Sequence, residues 1–81
     1  MTMSKFTGAV AGELKYARKS FPAFHSAHEA YAVILEEVEE FWEQVKTNDA
    51  QRDSDAMLGE LIQIAAMAQR AAEDLKLIGE E

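Results

Sequence analysis

The sequence has no cysteine, a single proline, and no apolar run approaching the roughly 18 residues needed to span a membrane. Without thiols there are no disulfides and no thiolate metal sites. A chain of 81 residues then has oligomerisation or an oxygen-ligated metal as its available reinforcement, and a reducing, cytoplasmic setting is expected. No signal peptide is evident, and no membrane partner is expected. Basic residues are also scarce: 8 Lys and Arg face 15 Asp and Glu, for a net charge of -7. That balance argues against nucleic acid as the main partner, because binding a polyanion calls for a basic footprint. There is no Gly-rich phosphate loop, no zinc-ligand spacing and no credible Ser/His/Asp arrangement.

What is present is helical periodicity. Residues 4–19 place Phe6, Val10, Leu14 and Ala17 on one face, and Ser20, Phe21 and Pro22 end that helix, since proline lacks a donor and disfavours helical geometry in the residue before it. Ser26 with Glu29 three residues on matches a capping box, which predicts a second helix over 27–46 with Ala27, Tyr31, Ile34, Val38, Phe41 and Val45 as its apolar stripe. Residues 47–55 are polar and read as a loop, with Asn48, Asp53 and Ser54 as candidate caps. The third helix is predicted over 56–77, with Gly79 as its stop signal. Leu58, Leu61, Ala65, Ala68, Ala72 and Leu75 form one stripe on it, and Met57, Ile64, Met67, Ala71 and Ile78 widen the apolar face beyond what one neighbour covers. Burial against a second chain is the natural solution. The expectation is a single all-α domain over 1–81: a helical hairpin plus an N-terminal helix, completing a four-helix-type bundle by oligomerisation as a dimer or tetramer.

Charge is distributed unevenly. Lys5, Lys15, Arg18 and Lys19 face only Glu13 in residues 1–25, whereas residues 26–46 hold six glutamates against Lys46. This reads either as complementarity within the chain or as a cation site facing an anion-binding segment. Glu36, Glu37, Glu39 and Glu40 repel one another at helical spacing. A solvated face explains Glu36, Glu39 and Glu43. Glu37 and Glu40 lie on adjacent turns, with β-carbons about 5–6 Å apart, a spacing suited to a hard cation with oxygen ligands. Glu60, set among Met57, Leu61, Ile64 and Met67, is the obvious further ligand from the third helix, because an unpaired carboxylate is costly in apolar surroundings. Gln63, one turn on, offers a neutral amide oxygen. His25 and His28 flank the second helix start and read as surface or cap residues; Tyr31, Phe41 and Trp42 read as core or interface aromatics, and Tyr16 as packing or as a platform for a base.

Together, Glu36-Glu37-Val38-Glu39-Glu40 and the later Glu60-Leu61-Ile62-Gln63 resemble the two-helix metal signature of the MazG-like all-α nucleoside triphosphate pyrophosphohydrolases, a Glu-Glu-x-x-Glu followed by a Glu-x-x-Asp. The likeness covers roughly residues 26–75 and is to short members of phage or mobile-element type. It implies Glu37, Glu40 and Glu60 as ligands of Mg2+ or Mn2+, with Gln63 in the place of the family's aspartate. It also implies hydrolysis of a nucleoside or deoxynucleoside triphosphate to monophosphate and pyrophosphate, with Glu36 or Glu40 as base toward the attacking water. No spacing assigns a substrate-holding residue; Lys15, Arg18, Lys19 or Arg70, including from a partner subunit, are the cations available to stand in for that role. The opposing reading is a non-catalytic helical oligomer or nucleotide-binding regulatory module of the same fold, to which Gln63 and its missing charge point.

Overall fold

A computed structural model describes residues 4–47 and 49–78. Among them the chain forms α1 (Lys5–Ser20), α2 (Ala27–Lys46), a single 3-10 turn (Asp49–Gln51) and α3 (Ser54–Asp74), with no strand. Asn48 and Gly79, expected as a cap and as a stop signal, lie outside the described residues.

Local chemistry sets most of the helix ends. Ser4 caps α1 by accepting from the Thr7 N–H at 3.1 Å, and Ser26 caps α2 by accepting from the Glu29 N–H at the same distance. Only half of the expected capping box forms. The Glu29 carboxylate accepts from the His25 N–H at 2.6 Å, one residue ahead of the cap. Asp53 caps α3, accepting from the N–H groups of Asp55 and Ala56, so that helix begins two residues earlier than its apolar pattern suggests. Arg52 folds back to donate to the carbonyls of Val45 and Thr47, satisfying acceptors that the end of α2 leaves open.

The end of α3 corrects the sequence reading. The helix stops at Asp74, and Lys76 adopts a left-handed backbone with φ 57. Leu77 N–H donates to the Ala72 carbonyl at 2.9 Å and Lys76 N–H to that of Glu73 at 3.1 Å, the bond pair of a Schellman ending. A lysine thus holds a conformation that glycine adopts without penalty. Lys76→Gly is expected to stabilise the fold by about 0.5–1 kcal/mol in a urea melt, because relief of left-handed strain exceeds the extra entropy of the unfolded chain. An unchanged midpoint would mean that the ending carries no strain.

α3 is the central element. Both α1 and α2 pack on it, and they do not pack on each other. Val10 and Ala17 of α1, Phe24 of the connection, Ala30 of α2, and Ala66, Met67 and Ala71 of α3 make the core, with Val33, Ile34, Ile62, Ala65 and Leu75 against it. Part of α3's broad apolar face is taken up within the chain. Met67 and Ala71 are buried, and Met57 and Ile64 half-buried, between two helices of the same chain. The stripe on α2 also divides: Ile34 packs against the core and Phe41 and Val45 are half-buried, whereas Ala27, Tyr31 and Val38 are exposed, and the buried residue of this helix is Ala30, outside the stripe.

The connection between α1 and α2 is held by a buried arginine. Arg70, only 5% exposed, donates to the Pro22 carbonyl at 2.6 Å and lies 4.1 Å from the Phe24 ring centroid. Asp74 accepts from the Phe24 N–H at 2.9 Å and from Arg18 at 2.8 Å, and Arg18 also pairs with Glu73. Burial pushes the Asp74 carboxyl up, but bonds from Arg18 and Phe24 and the charges of Arg18 and Arg70 outweigh it and hold the group below its ordinary value.

Candidate metal centre

Two clefts open above α3 in the space between α1 and α2. One, of about 610 Å3, is lined by Glu37 and Glu40 of α2, Glu60 and Gln63 of α3, and Glu13 and Tyr16 of α1. The other, of about 360 Å3, shares Glu13, Glu37 and Gln63 and continues over Phe21, Phe24 and Met67 to Arg70. Helical spacing sends Glu37 and Glu40 to the same side of α2, and the antiparallel return of the chain brings Glu60 across from them.

One oxygen each from Glu37, Glu40 and Glu60 lies within 4.8 Å of the others. Among the described residues, no Lys or Arg pairs with these three carboxylates. The fold therefore concentrates negative charge without a side chain to neutralise it. The Glu37 carboxyl registers the effect: burial first, then a hydrogen bond shared with Glu60 and the charges of Glu40, Glu60 and Glu36, push it up to about 7. Glu40 is raised as well, by its bond with Glu60, by the charge of Glu60, by burial and by the charge of Glu36. The donor set fits a hard divalent cation, which takes carboxylate oxygens and tolerates anionic crowding that the bare protein does not.

A pH dependence follows. Because Glu37 holds its proton to about pH 7 in the fold and to only 4.5 ordinarily, the native state binds more protons than the unfolded state across that window. Stability falls as pH rises through it. Urea melts from pH 4.5 to 7.5 should show this decline, and magnesium should flatten it by favouring the ionised carboxylates. A profile that ignores magnesium would speak against a cation site.

Gln63 lines both clefts beside Glu37, one turn along from Glu60. Glu36 lies at the mouth of the smaller cleft, exposed, with its charge acting on Glu37 and Glu40. The basic residues expected at the substrate fall elsewhere. Lys15 and Lys19 are exposed on α1, Arg18 is held by Glu73 and Asp74, and none of the three lines either cleft. Arg70 reaches the floor of the smaller cleft, where it donates to the Pro22 carbonyl and the Met67 sulfur and lies 3.7 Å from an Asp74 oxygen. His25 and His28 are exposed at the start of α2, as expected of surface residues.

Two lining residues escaped the sequence reading. Glu13 was the only acid in a basic segment, and Phe21 was read as ending the first helix, yet Phe21 is 55% exposed at the rim of the carboxylate cleft, beside Tyr16, which is 60% exposed there. A lone acid one turn ahead of the buried Ala17 was the available signal for Glu13. Comparison with protein-family models, curated proteins and solved structures found no match to this chain.

Proposed function

We propose that the chain is a MazG-like, divalent-metal-dependent nucleoside triphosphate pyrophosphohydrolase, releasing pyrophosphate from an NTP or dNTP. The observation that carries the reading is the convergence of Glu37, Glu40 and Glu60 from two helices within 4.8 Å. These three would hold Mg2+ or Mn2+, with the Gln63 amide oxygen beside them. When bound, such an ion screens phosphate charge and lowers the pKa of an attacking water. Glu40, or Glu36 at the mouth, would accept a proton from that water. Tyr16 and Phe21 at the rim offer aromatic faces to a base. The working unit of this proposal is a homo-oligomer, a dimer or tetramer, in which two hairpins complete a four-helix bundle.

A second reading is favoured by two observations: Gln63 stands where a fourth charge would help, and Arg18 and Arg70 are both engaged within the fold. It is a module of the same fold that binds a nucleotide or its own copies without turnover. The deciding experiment assays pyrophosphate release from the eight common nucleoside triphosphates in magnesium or manganese, with melting temperature followed in parallel. Release from at least one nucleotide is expected. A cation-dependent rise in melting temperature with no release from any would select the non-catalytic module, since a ligand of the folded form stabilises it whether or not it reacts.

A further inference from the structure

The smaller cleft changes chemistry along its length. Glu13, Phe21, Glu37 and Gln63 line both clefts and so mark where the two join. Beyond them, toward the connection between α1 and α2, the surface is apolar: Met67 is 5% and Phe24 7% exposed, with Ala17 and Val33 beside them. The rise of an α-helix sets Met67 about 10 Å along α3 from Glu60. A nucleotide laid along this track would meet ion-binding carboxylates at its phosphates, the polar Glu13 and Gln63 at its sugar, and an aromatic-walled recess at its base. At about 360 Å3 the recess is of ligand size.

The polar groups of the recess decide which base it suits. Its charged side chains that reach solvent are all carboxylates, those of Glu13, Glu29, Glu36 and Glu37, while Arg70 is buried and donates to the Pro22 carbonyl and the Met67 sulfur. An ionised carboxylate only accepts. A uracil or thymine edge, one N–H between two carbonyls, would set oxygen against oxygen. Adenine and cytosine offer one amino group beside a ring nitrogen that also accepts. Guanine presents two adjacent donors, N1–H and the 2-amino group, which match the two oxygens of a single carboxylate.

We propose that Glu29 reads the base and that the site takes a guanine nucleotide, an inference that rests on the nucleotide reading above. Of the acids lining the recess, Glu29 is the one farthest along α2 from the ion cluster, about 12 Å from Glu37 by helical rise. Its Oε1 accepts from the His25 N–H at 2.6 Å, with His25 Nδ1 3.9 Å away, and among the described residues no Lys or Arg pairs with it. The bond from His25 fixes the carboxylate at the end of the recess. Because a carboxylate offers about four acceptor positions, both oxygens can still accept from a base. A base without matching donors would leave that acid unpaired on binding, which is how a polar site rejects the wrong ligand.

Titration calorimetry on the full chain in magnesium, with α,β-methylene analogues of GTP, ATP, CTP and UTP, reads affinity without turnover, since their α–β bridge cannot be hydrolysed. The guanine analogue should bind at least about 10-fold more tightly than the uracil analogue, the scale of one bidentate contact to a base. The hypoxanthine analogue, which is guanine without its 2-amino group, should lose about the same factor and tests the contact without altering the protein. Glu29→Gln keeps an oxygen for the His25 N–H and puts a donor in the other position. It should weaken guanine binding and strengthen uracil binding, with helix content unchanged by circular dichroism. Equal affinity for all bases, or an equal loss for all in Glu29→Gln, would overturn this inference alone and leave the nucleotide reading standing. Binding of no analogue would overturn both.

Discussion

Glu37→Gln should make the metal-free protein more stable and the site inactive at once. At pH above 7 the wild-type chain crowds three carboxylates within 4.8 Å, and burial first, then the bond with Glu60 and the neighbouring charges, push the Glu37 carboxyl up to about 7. An amide of the same shape removes one charge and can donate to Glu60, so a gain of about 0.5–1 kcal/mol is expected in a urea melt without added metal. With magnesium the order should reverse: the wild type is stabilised by the cation, and the variant responds little. Pyrophosphate release should fall by at least about 100-fold, since the change removes a ligand at the centre of the charge that the phosphates meet. A solvated acidic face predicts neither effect, because an exposed glutamate can be replaced within about 0.5 kcal/mol and without consequence for turnover. Glu39→Gln, on the exposed side of α2, is the control that should behave in this neutral way. If Glu37→Gln and Glu39→Gln are indistinguishable with and without magnesium, the three carboxylates do not act together on a cation.

Loss of the arginine beneath the connection should have the largest structural effect. Arg70→Ala removes the bond to the Pro22 carbonyl, the stack on Phe24 and the cation beside Asp74, whose side chain is 4% exposed. Arg18 and the Phe24 N–H still hold Asp74, so the cost is set below that of a wholly orphaned charge, at about 2–4 kcal/mol. For a chain of this length, whose total stability is on the order of 4–12 kcal/mol, that is a large share. Arg70→Lys keeps the charge but not the planar fork, and it should recover only part of the loss. The acid limb gives an independent reading. Asp74 is held below its ordinary 3.8, so its contribution is present above that pH and disappears as pH falls through the folded value. In Arg70→Ala one of the opposing charges is gone, and the acid transition should move upward in pH. A loss under 0.5 kcal/mol with an unmoved acid transition would show that the connection is held by something else. The effect reaches the site as well, because Phe21, Pro22 and Phe24, which the arginine holds, form a wall of the smaller cleft.

Much of this architecture was legible along the chain. Ser26 and Pro22 bracket the turn into α2, Asp53 is among the three candidate caps ahead of α3, and the three-residue interval between Glu37 and Glu40 puts them on one side of a helix wherever that helix goes. Each is a statement about groups one turn apart, and bonds within one turn depend on little beyond the neighbouring residues. The candidate ligand from α3 was legible for a related reason: a carboxylate among apolar neighbours asks for a partner.

Other features depended on what came together across tens of residues. Periodicity assigned α2 a stripe containing Tyr31 and Val38, but α3 takes up only part of a wide apolar arc, and which part is decided by how the hairpin closes. Arg18 and Arg70 looked available for a substrate until the ends of α1 and α3 met and Glu73 and Asp74 took the charge. Glu13 joined the carboxylate cleft only because α1 crosses α3 at that point.

By itself, then, the sequence determined that there are three helices, where most of them begin, and which acids share a turn, since caps and helical spacing act over distances the local backbone controls. Tertiary structure alone decided which faces are covered, which charges are spent holding the fold and which are left crowded together. Those outcomes follow from burial and Coulomb forces between segments some fifty residues apart, as Arg18 and Asp74 are, and no local pattern contains them.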